Sequence, residues 1–132
     1  MWVYVERQTL AKHYFFGHAT DTTNRIQLYS KYGNLCLGLG DSHETSVNIQ
    51  QLDNQRWYHI TLTWNNPVYS VYVDGALEAS GTYTGLTQLA DHADIGNNGL
   101  SRDKGLNGKI DDVQIYDHAL NSGEITRLVA GN

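Results

Sequence analysis

The protein has 132 residues, a formal net charge of −5 and one cysteine. This length suits a single domain with its own hydrophobic core, and one cysteine excludes a disulfide within the chain. The basic residues form no cluster and no apolar run reaches bilayer-spanning length, which argues against nucleic-acid and membrane partners.

Short strand-like segments separated by polar turns fill the first half of the chain. Each is rich in aromatic and aliphatic residues, and the turns between them carry Gly, Asn, Asp and Thr. This pattern is typical of an antiparallel all-β protein. It predicts five strands, at residues 2–8, 13–18, 25–30, 35–39 and 45–50.

The strongest pattern lies at residues 57–80, where three strands and two turns form a predicted meander. Residues 57–64 alternate, with Tyr58, Ile60, Leu62 and Trp64 on one face. Strands at residues 68–73 and 76–80 flank Asp74-Gly75, which is a strong hairpin signal. One face of this meander is apolar, so a second sheet must cover it.

The last third of the chain predicts a short strand at residues 94–97, a closing strand at residues 109–116 and one helix. A bulge near Asp111-Asp112 is needed to keep the closing strand's apolar residues on one face. Asn121 and Glu124 have the spacing of a capping box, which predicts a helix over residues 122–129.

Three motifs carry a resemblance to a known family: W-Y-H-I-T-L-T-W at 57–64, V-Y-V-D-G-A-L-E-A-S at 71–80 and L-N-G-K-I-D-D-V-Q-I-Y at 106–116. Together they resemble the laminin-G-like, concanavalin-A-like lectin and glucanase domains, and the closing motif is similar to that of pentraxins. The resemblance implies an all-β, antiparallel two-sheet jelly-roll sandwich with one short C-terminal helix, as a single domain over residues 1–132. Members often work outside the cell, but the first residues here show no secretory signal, so the compartment stays open.

The resemblance also implies that the family's first strand is missing before residue 2. A sandwich without that strand exposes an unpaired edge near Trp2. Either another copy of the chain covers this open N-terminal edge and forms a homo-oligomer, or the sheet closes with fewer strands. The first alternative is the prediction.

Adjacent carboxylates at Asp111 and Asp112 suggest a metal site. Unpaired charges at the start of a buried strand are costly, and Ca²⁺ prefers oxygen ligands. By loose analogy with the pentraxin loop, Asn97, Asn98 and Asp103 are placed near the same ion. The alternative is that Asp111 accepts backbone N–H bonds at a bulge while Asp112 is solvated.

Aromatic side chains off the core suggest a ligand-binding surface. Trp57, Tyr72 and Tyr83 are predicted on outward faces or rims, where an aromatic ring offers a platform to the C–H face of a sugar. Asn98 is a candidate for orienting the sugar's hydroxyl groups. The alternative is that these rings fill the space between the sheets.

The leading function is a non-catalytic binding module for glycans or a protein surface, with Ca²⁺ as a possible aid. A structural or self-assembly domain is the alternative, and a glycoside hydrolase is a distant third. Hydrolases of this fold use a strand of alternating carboxylates, and no such run is present. The chain is therefore predicted not to be an enzyme.

Overall fold

The computed structural model describes residues 1–40, 47–101 and 105–131. The described residues form ten strands and one helix: β1 (Trp2–Val5), β2 (Lys12–Ala19), β3 (Arg25–Lys31), β4 (Asn34–Leu39), β5 (Val47–Gln51), β6 (Trp57–Asn65), β7 (Val68–Val73), β8 (Ala76–Thr82), β9 (Asp94–Ile95), β10 (Gly108–Asp111) and α1 (Ser122–Ala130). No helix among them is long and apolar enough to cross a lipid bilayer.

The strands form two antiparallel five-stranded sheets. The front sheet has the order β10-β1-β6-β7-β8, and the back sheet has the order β5-β4-β3-β2-β9. This arrangement confirms the predicted all-β jelly-roll sandwich with one short C-terminal helix.

Inward-facing side chains of both sheets build one core. Val3, Ile60 and Val71 of the front sheet pack with Phe15 and Leu37 of the back sheet, and all five are fully buried. Alternation along each strand places these residues on the inner faces. The predicted apolar face of the meander is therefore covered by a second sheet.

Local turn and capping signals predict two features correctly. At the β7–β8 hairpin, Asp74 has φ 49° and Gly75 has φ 85°, which is the left-handed geometry of a two-residue hairpin turn. At the helix, Asn121 Oδ1 accepts from Glu124 N at 3.0 Å, and Glu124 Oε2 accepts from Asn121 N at 2.8 Å. The capping box is confirmed.

The predicted open N-terminal edge is wrong. β1 lies inside the front sheet, with Trp2 opposite Asp111 of β10 on one side and opposite His59 of β6 on the other. The closing segment of the chain returns to pair with β1, and this contact between distant residues carries no local signature. Self-association through an edge at Trp2 is therefore not available.

The predicted closing strand is also wrong beyond Asp111. β10 ends there, Asp112 adopts φ 47°, and Ile115 is 76% exposed. The physical reason is the left-handed backbone of Asp112, which interrupts the extended chain directly after the last pair, Trp2 and Asp111. Residues 113–116 therefore have no adjacent strand in the described part of the chain.

The helix cap yields a stability prediction. Asn121→Ala removes the side-chain acceptor for Glu124 N, at a cost of about 1 kcal/mol. We expect the Tm from circular dichroism to fall by about 3–5 °C. Ser122→Ala, one residue further on, is the matched control and leaves the Tm near the parent value. Equal Tm values for both variants would contradict the role given to the cap.

His59 yields a pH prediction. Burial, and to a lesser extent the N-terminal ammonium group, lower the pKa of His59 from 6.5 to about 4, against the opposing charges of Asp74 and Asp112. The unfolded chain takes up this proton near pH 6.5, whereas the folded chain does so only near pH 4. Protonation of His59 therefore leaves the free energy of unfolding unchanged above pH 6.5 and lowers it as the pH falls from 6.5 toward 4.

Urea unfolding at pH 7 and pH 4.5 measures this loss. After allowance for solvent screening, we expect His59 to account for about 1–2 kcal/mol of the difference. His59→Gln reduces the difference between the two pH values, whereas His118→Gln, at an exposed position, does not. An unchanged pH dependence in His59→Gln would show that this imidazole is not the responsible group.

Candidate functional site

Aromatic side chains lie together on the outer face of the front sheet. Val3 and Val5 are buried in the core, so Tyr4 between them points outward. The strand register places Tyr4 beside Trp57 of β6 and Lys109 of β10. The Tyr4 and Trp57 ring centroids are 5.4 Å apart with planes inclined at 48°, and Lys109 Nζ lies 5.0 Å from the Tyr4 centroid.

Polar groups lie next to these rings at the end of β1. Gln55 Nε2 donates to Glu6 Oε1 at 3.0 Å, and both residues are exposed. Trp57 itself is 39% exposed. We call Tyr4, Glu6, Gln55, Trp57 and Lys109 the Tyr4 patch. It combines aromatic surface with a cation, a carboxylate and an amide.

In the next row of the same face, His59 is closed to solvent. Trp2 contacts His59 edge to face, with ring centroids 5.1 Å apart, and His59 is only 4% exposed. Its low pKa, caused chiefly by burial, keeps this imidazole neutral at pH 7. On this face a ligand can therefore contact the ring of Trp57 but not that of His59.

The structure separates the four predicted ligand-binding residues. Trp57 lies in the Tyr4 patch. Tyr72 lies on β7 opposite Thr61, which is four residues along β6 from Trp57. Tyr83 packs, partly buried, against the core. Asn98 is 8% exposed and belongs to a loop on the back sheet.

Asn98 organises that loop through local hydrogen bonds. Its Oδ1 accepts from Leu100 N at 2.9 Å and from Ser101 N at 2.8 Å, while its backbone oxygen accepts from Gln27 Nε2 at 2.5 Å. A Cβ at Gly17 would lie 2.0 Å from the Asn98 carbonyl carbon, so the loop backbone approaches β2 as closely as only glycine permits. These contacts give Asn98 a structural role, which is to hold its loop against the back sheet.

The described residues do not assemble the predicted calcium ligands. Asp111 ends β10 of the front sheet, where its Oδ1 accepts from Asp112 N at 2.8 Å, and Asp112 is exposed. Asn97 follows β9 of the back sheet, and its Oδ1 accepts from Asn98 N. Asp103 lies outside the described residues. Nowhere in the described ranges do three or more His, Cys, Asp or Glu side chains gather around a possible ion.

One buried polar group was not anticipated from the sequence. Arg25 is 4% exposed, donates from Nε to Gly40 O at 2.9 Å and from Nη1 to Gln27 Oε1, and has no partner for Nη2 among the described residues. A Cβ at Gly38 would lie 2.7 Å from Arg25 Nη1, so glycine makes room for the guanidinium. Gly38 in β4 and Gly40 directly after it were the available signal.

Tyr4 and Lys109 were also missed. Alternation on β1 already pointed Tyr4 outward, but its contact with Trp57 depends on which strands are neighbours. That information is in the register of β1 with β6 and β10. Sequence patterns do not supply it.

Solved structures with the same fold include proteins of different activities. Domain 4 of AbnA, an extracellular arabinanase of Geobacillus stearothermophilus solved with arabinotriose, is 28% identical with a TM-score of 0.73 over 97% of this chain and 63% of that one. A heptameric SAP-like pentraxin of Limulus polyphemus is 20% identical, with a TM-score of 0.69 over 97% of this chain and 66% of that one. Trypanosoma rangeli sialidase is 21% identical, with a TM-score of 0.72 over 97% of this chain and 21% of that one.

This chain therefore spans between about a fifth and two thirds of the length of these proteins. No curated protein matches the sequence. The model of one family, described as the concanavalin A-like lectin/glucanases superfamily, matches residues 1–126. With the two-sheet sandwich and this match over nearly all of its length, the chain belongs to the concanavalin A-like lectin/glucanase superfamily.

Proposed function

We propose that this domain is a non-catalytic carbohydrate-binding module and that the Tyr4 patch is its contact surface. The observation that carries the proposal is the ring contact between half-buried Tyr4 and exposed Trp57, with charged and amide groups beside it. The domain that was solved with arabinotriose has the same fold at 28% identity, which supports a saccharide as the class of ligand.

The rings suit the apolar side of a sugar. A pyranose or furanose ring presents C–H groups on one face, and a half-exposed aromatic ring loses little conformational freedom when it packs there. Because the Tyr4 and Trp57 planes are inclined at 48°, they present two surfaces in different directions. This shape favours consecutive sugar units of an oligosaccharide over a single monosaccharide.

The neighbouring polar groups suit the hydroxyl groups of the same ligand. Lys109 Nζ supplies donors, the Glu6 carboxylate supplies acceptors, and the Gln55 amide supplies both. Glu6 and Gln55 already hydrogen bond to each other, so their side chains are held next to the rings in the absence of ligand. Pre-ordered polar groups lower the entropy lost on binding.

The carboxylates argue for binding without turnover. Hydrolysis of a glycosidic bond requires two carboxyl groups on opposite sides of the scissile bond at a set separation. Among the described residues, the Tyr4 patch includes one carboxylate, that of Glu6. A glycoside hydrolase therefore remains the least supported function.

Self-assembly is the second candidate, and one observation favours it. β8 is the last strand of the front sheet, so among the described residues it has a strand neighbour on only one side and offers backbone groups to another chain. This surface lies away from the Tyr4 patch, so glycan binding and association are compatible on one domain.

The binding proposal predicts the effect of removing one ring. On a glycan array and then by calorimetry with the best oligosaccharide, Trp57→Ala weakens binding by about tenfold or more, equivalent to about 1.4 kcal/mol. The control is Tyr32→Asn, which removes an aromatic side chain that is 55% exposed at the β3–β4 turn and keeps a residue that tolerates φ 53°. Equal affinities for Trp57→Ala and the parent chain, or an array with no binding, would contradict the proposal.

The Tyr4 patch also predicts the response to metal removal. Its donors and acceptors are side chains that need no ion, and Asp111 and Asp112 already have a local backbone bond and solvent. We therefore expect the same oligosaccharide affinity in millimolar Ca²⁺ and in excess chelator. A Tm that rises with Ca²⁺ together with binding that disappears in chelator would restore the calcium hypothesis.

A further inference from the structure

Asparagine is followed by glycine twice in the sequence, at Asn98-Gly99 and at Asn107-Gly108. In such a pair the backbone nitrogen of glycine can attack the side-chain carbonyl carbon of asparagine, because glycine has no side chain to hinder the close approach. The reaction requires an asparagine side chain that can rotate toward this nitrogen and a nitrogen that is accessible. The structure holds the two pairs in different states.

The side chain of Asn98 is held in place. Its Oδ1 accepts from Leu100 N at 2.9 Å and from Ser101 N at 2.8 Å, and its Nδ2 donates to Ser101 Oγ at 3.2 Å. Gly99 is packed as well, since a Cβ there would lie 2.7 Å from the Gly17 carbonyl carbon. Cyclisation at this pair therefore requires that these hydrogen bonds break and that the loop moves away from β2.

The side chain of Asn107 is not held in this way. Asn107 and Gly108 are both exposed, and the amide group of Asn107 has no hydrogen-bond partner among the described residues. The backbone oxygen of Asn107 is bound, because it accepts from Glu6 N at 3.0 Å. The side-chain amide can therefore rotate toward Gly108 while this backbone bond stays in place.

The backbone nitrogen of Gly108 points away from β1. The bond from Glu6 N to Asn107 O makes these two residues a hydrogen-bonded pair of the β1–β10 ladder. The next pair, Val5 and Gly108, exchanges no backbone bonds, because the two kinds of pair alternate. β10 is the outermost strand of the front sheet, so no described strand lies on the side to which Gly108 N–H points. The attacking nitrogen is therefore accessible.

Strand pairing requires glycine at position 108. A Cβ there would lie 1.9 Å from Tyr4 O, so any residue with a side chain would displace β10 from β1. The contact that places β1 inside the front sheet therefore also keeps a reactive residue pair at the start of β10.

We propose that Asn107 is a site of spontaneous deamidation and that the fold protects Asn98 from the same reaction. Gly108 N forms a bond to Asn107 Cγ, the Cγ–Nδ2 bond breaks, and ammonia leaves with the proton of the attacking nitrogen. The product is a cyclic succinimide. A water molecule then opens the ring at either carbonyl and gives aspartate or isoaspartate at position 107.

Both products change the surface beside the Tyr4 patch. Each adds a carboxylate near Lys109, which is two residues further along the chain. Isoaspartate also routes the main chain through the former side chain and adds a methylene group to the backbone before Gly108. This addition shifts β10 relative to β1, so the bond from Glu6 N to the oxygen of residue 107 is lost in the isoaspartate form.

Peptide mapping of the folded chain after incubation at pH 8 tests the reaction. Trypsin places Asn107 in the peptide of residues 105–109 and Asn98 in the peptide of residues 57–102, so the two sites are measured separately. We expect Asn107 to convert at least about tenfold faster than Asn98, because the hydrogen bonds of Asn98 must break first. In concentrated guanidinium chloride, where the fold is lost, the two sites convert at similar rates.

Asn107→Gln is the matched control, because the longer side chain cyclises much more slowly. It abolishes the conversion in the peptide of residues 105–109 and leaves the rate at Asn98 at the parent value. Conversion of Asn107 in the folded chain that is no faster than that of Asn98 would overturn the proposal.

Amide hydrogen exchange tests the consequence for β1. In the purified isoaspartate form, we expect the Glu6 amide to exchange at least about tenfold faster than in the parent chain. The amide of Tyr83, which donates to Pro67 O at 2.8 Å, is the internal control and keeps its rate. Asn107→Asp carries the same added charge on a normal backbone and keeps Glu6 protected. Parent-like protection of Glu6 in the isoaspartate form would contradict the predicted shift of β10.

Discussion

The position of β1 between β10 and β6 determines the rest of this structure. Hydrogen bonds on both sides hold these four residues inside the front sheet, and Val3 and Val5 point into the core. The same alternation turns Trp2 and Tyr4 outward. β1 thus pairs with a segment near the end of the chain and with one from its middle. This pairing brings Tyr4 and Trp57 together on the outer face of the front sheet.

Local sequence signals predicted much of the fold and little of the site. The hairpin at Asp74-Gly75, the cap at Asn121 and the alternation of residues 57–64 depend on neighbouring residues, and all three are confirmed. The interior position of β1 depends on pairing between residues more than a hundred positions apart. Of the predicted ligand-binding residues, only Trp57 lies in the Tyr4 patch, because side-chain neighbours across strands follow from that pairing.

The most direct test of this account is a nuclear Overhauser experiment on the two ladders of β1. Trp2 and His59, and likewise Val3 and Ile110, are non-hydrogen-bonded pairs in which facing Hα atoms approach closely. The account predicts strong Hα–Hα cross-peaks for both pairs. The presence of only one of them would place β1 at an edge of the sheet and would contradict the structural basis of the Tyr4 patch.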